Sequence, residues 1–63
     1  MKLDKIKLET AIARAGLNIS DLKSVSSGAL YRALRGQDIN TKTAFKIANE
    51  LGIDVGEIVK REE

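Results

Sequence analysis

Apolar positions along this chain fall into five short clusters at helical spacing, separated by glycines and polar turns. Leu8, Ala11, Ile12 and Ala15 share one stripe of a helix predicted over Leu3–Ala15. Gly16 then stands where a left-handed cap would end it. Asn18-Ile19-Ser20-Asp21 has the form of a capping box with Asp in the place of Glu, so a second, short helix is expected from Asn18 to about Ser24, with Leu22 inward. Ser26 is the next N-cap, and the helix after it runs to Arg35 with Leu30, Ala33 and Leu34 on its inner side. Gly36 ends it, and Gln37 to Asn40 read as a polar loop. Asn40 or Thr41 caps a fourth helix whose Ala44, Phe45, Ile47, Ala48 and Leu51 form a wide apolar stripe, stopped by Gly52. A capping box at Asp54-Val55-Gly56-Glu57 starts a fifth, with Val55, Ile58 and Val59 apolar, which frays from Lys60 to Glu63.

The pattern predicts an all-α fold: one domain over residues 1–63, a compact bundle of five short helices without strand pairing. Its expected core is Leu8, Ile12, Leu22, Val25, Leu30, Leu34, Ile47, Leu51 and Ile58. Val55, Ile58 and Val59 cannot all point into so small a core, so part of the last helix is expected to be exposed and apolar.

Composition narrows the function classes. There is no cysteine, and so neither a disulfide nor a thiolate metal site. There is no histidine, which removes the commonest general base and the commonest metal ligand. The carboxylates sit in caps and in the C-terminal stretch. The expectation is therefore a protein that is not an enzyme and that uses no cofactor, metal or small-molecule ligand. Tyr31 and Phe45 are the only aromatic side chains, too few for a base-stacking platform on single strands. No apolar run approaches the roughly 20 residues of a membrane span, and the first nine residues carry charges instead of a signal-peptide core. A cytoplasmic location is the default expectation.

Charge is distributed unevenly. Residues 1–21 carry a net +1, residues 22–49 a net +4, and residues 50–63 a net −3. No acid lies between Leu22 and Gln37. Such a map suits a middle segment that faces a polyanion. The outer face of the third predicted helix carries Ser27, Gly28, Tyr31, Arg32 and Arg35. Small residues at its start allow close approach, its free N–H groups favour phosphate, and arginine forks match guanine edges or phosphate oxygens. Lys42 opens the fourth helix, where the dipole disfavours a cation, and this misfit points to a phosphate partner.

The stretch Val25 to Gly36 (VSSGALYRALRG) resembles the turn and recognition helix of the Cro/repressor-type (Xre-like) helix-turn-helix family of small phage and bacterial regulators. Thr43 to Val55 (TAFKIANELGIDV) is similar to that family's fourth helix and the turn after it, and Glu57-Ile58-Val59 to the start of its fifth. One departure is plain: three residues separate Leu22 from Ser26, about a turn short of the family pattern. Either the second helix loses that turn, which keeps the Asn18 cap, or Ile19 takes the place of Leu22 and the preceding connection shortens. The first register is the one favoured here.

The resemblance implies a lambda-repressor-like DNA-binding domain acting in transcription regulation, as a repressor. It would read double-stranded DNA in the major groove as a homodimer on a two-fold operator, joined through the last helix. The residues expected to meet DNA are Ser26, Ser27, Gly28, Tyr31, Arg32, Arg35 and Lys42. The competing expectation is a protein-interaction module of the same fold, of antirepressor or antitoxin-like kind. A shortened second helix would favour it.

Overall fold

The computed structural model describes residues 1–60. Three α-helices carry the fold: α1 over Lys5–Arg14, α2 over Ser27–Leu34 and α3 over Thr41–Leu51. The expectation of five helices is corrected. The second and fifth predicted helices are each a single 3-10 turn, Ile19–Asp21 and Val55–Glu57. A turn with only three or four residues before its next constraint has no room for the i→i+4 ladder. The fraying expected beyond Lys60 lies outside the described residues.

Local chemistry sets the helix ends. Asp4, Ser26 and Asn40 cap α1, α2 and α3 through side-chain oxygens that accept the N–H groups of Lys7, Ala29 and Lys42. Gly52 closes α3 at φ +71° and Gly36 follows α2 at φ +73°, a region that side chains with a β-carbon rarely enter. Asp54 and Glu57 form the predicted capping box around the C-terminal turn, with the Asp54 N–H donating to Glu57 and the Gly56 N–H to Asp54.

The first predicted helix begins two residues late, at Lys5, because Leu3 belongs to another structure. Leu3 pairs as an isolated antiparallel bridge with Val59, and Lys2 pairs in the same way with Asp38. The Asp4 N–H donates to the Ile58 carbonyl at 2.8 Å, Lys60 N–H to Lys2 carbonyl at 2.9 Å, and Ile39 N–H to Met1 carbonyl at 2.7 Å. No strand forms among the described residues, as expected, but two isolated bridges place the first residues between the C-terminal stretch and the 37–40 loop. That loop is not wholly polar in its packing, since Ile39 is buried.

The core holds Leu3, Leu8, Ile12, Leu22, Leu30, Ala33, Ile39, Ala44, Ile47, Ala48, Leu51 and Ile58, with Val25 and Leu34 half-buried against it. Phe45 departs from the predicted stripe and is 48% exposed. Val55 and Val59 pack partly against the core and Ile58 is fully buried, so the apolar surface expected on the last helix is reduced to the half-buried Val55 and Val59. Exposed aliphatic bulk lies instead at Ile6 and Ile19. The radius of gyration, 10.2 Å, matches the roughly 11 Å of a folded chain of this length. No helix among the described residues is long and apolar enough to cross a membrane.

Candidate nucleic-acid interface

α2 forms because Leu30 and Ala33 bury one side of it while Ser26 supplies its cap. Ser26 Oγ accepts the Ala29 N–H at 3.2 Å, which leaves the N–H groups of Ser27 and Gly28 directed out of the first turn. Ser26, Ser27, Gly28, Tyr31, Arg32 and Arg35 are all exposed. Ser27 and Tyr31 are four apart, as are Gly28 and Arg32, and Arg35 lies three beyond Arg32, so they form two adjacent rows on one face.

Two details sharpen that face. The Arg35 guanidinium carbon lies 5.7 Å from the centroid of the Tyr31 ring, within cation–π range. Tyr31, 66% exposed, therefore supports Arg35 from outside the core. A β-carbon at Gly28 would meet no atom within 4 Å, and the residue does not have positive φ. The fold does not need a glycine there.

Lys42 is exposed in the first turn of α3, and its backbone N–H donates to Asn40 Oδ1 at 2.8 Å. No hydrogen bond or ion pair joins it to α2 among the described residues. Nor does any described carboxylate form a salt bridge with Arg32, Arg35 or Lys42.

Two acids, Asp38 and Glu50, are engaged by other groups. Asp38, the only acid between Leu22 and Asn49, accepts a hydrogen bond from the Met1 amino group, which holds its carboxyl below the usual aspartate range. Glu50 belongs by sequence to the acidic C-terminal stretch but reaches from α3 to the turn before α2. One of its oxygens accepts the Ser24 hydroxyl at 2.7 Å and the Ser24 N–H at 3.0 Å, and the other accepts the Lys23 N–H at 3.3 Å. Ser24 Oγ also lies 3.4 Å from the Lys46 carbonyl. The Ser24 hydroxyl first, and then the Ser24 and Lys23 N–H groups, hold the Glu50 carboxyl below its usual range. Nothing in the sequence marked Glu50 for this task, because its partners lie 26 and 27 residues away.

The segment before Ser26 holds one 3-10 turn, Ile19–Asp21. Asn18 stays at the head of the 3-10 turn, its N–H donating to Asp21 at 2.8 Å, and Leu22 is buried at the end of that turn. A hollow lies beside the start of α2, lined by Ile19, Ser20, Leu22, Ser27, Leu30 and Tyr31.

No protein-family model, curated protein or solved structure matches this chain.

Proposed function

We propose that this protein is a sequence-specific double-stranded DNA-binding regulator of the helix-turn-helix kind, most simply a repressor, which reads the major groove with α2. The observation that carries this is the outer face of α2. It presents exposed hydroxyls and a glycine at the helix start and two arginines beyond them, with no salt bridge to either arginine among the described residues. Ser27 and Gly28 approach the base edges, Tyr31 and Arg32 flank them, and Arg35 and Lys42 hold phosphates. Ser26 caps the helix and lies beside the backbone. Two-fold assembly on an operator with half-sites roughly 34 Å apart belongs to the proposal. Sedimentation with and without duplex tests that part, and a strict monomer binding one-to-one removes it.

Titrations on preferred and random duplexes at several salt concentrations test the reading itself. Arg35→Ala and Lys42→Ala are expected to weaken binding to all sequences alike, each lowering the salt slope by about one unit. Ser27→Ala and Arg32→Ala are expected to cost on the order of 1–3 kcal/mol on the preferred duplex and to relax its sequence requirement. Variants that all bind as well as the parent would show that this face does not touch DNA.

One observation favours a second reading, a protein-interaction module. The second helix, which in the resembling family lies against the DNA backbone, is here a single turn beside an apolar hollow. A partner held by apolar contact would bind with little dependence on salt, the opposite of the duplex result.

A further inference from the structure

We infer that Glu50 is the residue that aims α2: its carboxylate, reaching across from α3, fixes the angle at which the chain enters α2 and so acts as a positioning residue for base reading. This rests on the duplex-reading proposal above.

A helix is aimed by what holds its first turn. In a longer helix-turn-helix the packed second helix could do this, but here the chain has one 3-10 turn, Ile19–Asp21, and then Lys23, Ser24 and Val25 before the Ser26 cap. Leu22 and Leu30 anchor the two ends of this segment in the core. Between them Val25 is only half-buried, and Lys23 and Ser24 are exposed. Apolar packing alone therefore leaves the turn free to swing. The Glu50 carboxylate removes that freedom by engaging consecutive residues with both oxygens, two bonds to Oε1 from Ser24 and one to Oε2 from Lys23. Charge-assisted bonds of this kind are among the stronger ones available at a surface, and a grip by both oxygens sets orientation as well as distance.

Glu50 can serve as a fixed point because its neighbours on α3 are packed into the core. Ile47 and Leu51, beside it on α3, are buried, and Gly52 closes the helix directly after. A second observation points the same way. Glu50 lies in the last turn of α3, where the helix dipole disfavours an anion. No described cation forms a salt bridge with it to offset that. The misplaced charge is explained by the donors it serves outside its own helix.

The test compares Glu50→Gln, Ser24→Ala and the double variant with the parent, at a temperature where each keeps the parent's helical circular dichroism. The parent first selects its preferred duplex from a random pool. The quantity read is the ratio of affinity for that duplex to affinity for random duplex at one salt concentration. Glu50→Gln puts an amide NH2 against the Lys23 N–H and is expected to lower the ratio about tenfold, the scale of one charge-assisted hydrogen bond. Random-duplex affinity is expected to hold or rise slightly, since a negative charge is lost. Ser24→Ala should lower the ratio less, and the double variant should match Glu50→Gln because the two side chains act as one unit. Glu57→Gln, which loosens a comparable exposed carboxylate bond at the C-terminal turn, serves as control and should leave the ratio unchanged. A ratio unchanged in Glu50→Gln, with faster amide exchange at Lys23 and Ser24, would reduce Glu50 to a stabilising contact and overturn the inference alone. A parent that selects no duplex overturns the inference and the DNA reading together.

Discussion

At the scale of single residues, the exposed face of α2 was legible in the sequence because each of its members is polar or small where an inward position would be apolar. Ser26, Ser27, Gly28, Arg32 and Arg35 all stand where helical spacing put them. Tyr31 also stands outward, and the packing adds what the sequence did not show, its ring beneath Arg35. Gly28 gives the sharpest residue-level prediction. A glycine inside a helix costs roughly 0.5–1 kcal/mol relative to alanine, and no neighbour obstructs a side chain here. Gly28→Ala is expected to raise the unfolding free energy by up to about that amount, somewhat less so near the helix start. Gly28→Leu should keep the fold and lose duplex affinity, because a bulky side chain separates the first turn from the base edges. Thermal unfolding and duplex titration of both variants check this. Stability and binding moving in the same direction would remove the argument for close approach.

At the scale of elements, the caps and stop signals carried the sequence reading furthest. Ser26, Asn40, Gly36, Gly52 and the Asp54–Glu57 box all mark boundaries where expected. Helix type was less legible, because a capping box announces a start without saying whether one turn or three will follow. Leu3 and Ile39 were misassigned for a different reason. Each is a lone apolar residue among polar neighbours, and what buries it lies at the far end of the chain or beyond a helix. Glu50 was hidden in the same way. Its clamp between α3 and the turn before α2 predicts a pH dependence. The carboxyls of Glu50 and Asp38 are both held below their usual ranges. A depressed folded value means the unfolded chain binds protons more readily, so the stabilisation is complete above the ordinary carboxylate values. It is lost as pH falls through the lowered folded values. The melting temperature is expected to drop in acid, below about pH 4. Glu50→Gln should be less stable than the parent at neutral pH and should approach it in acid. A difference that stays constant from neutral to acid pH would show that the clamp does not titrate with folding.

At the scale of the whole molecule, a core this small leaves little redundancy. A 63-residue chain of this kind has on the order of 3–5 kcal/mol to lose. Leu3, fully buried, packs where the N-terminal segment meets the C-terminal stretch. Leu3→Ala is expected to cost about 2–5 kcal/mol, enough to leave much of the population unfolded at ambient temperature. Chemical denaturation followed by circular dichroism measures it, and a loss under about 1 kcal/mol would show that the site collapses around the smaller side chain.

The pairing of the two ends also decides how the molecule bears a load. Lys2 faces Lys60 and Asp4 faces Ile58 across an antiparallel contact, so the chain enters and leaves at the same end of that short ladder. Tension applied through the termini acts on its bonds in succession, like a zipper drawn from its open end, and no bond shares the burden with the next. Held between two beads in an optical trap, the chain is expected to part at low force, with the Met1 contacts to Asp38 and Ile39 and the Lys60–Lys2 bond before the helices. A high, abrupt rupture force would mean that the ends are locked by something other than this ladder.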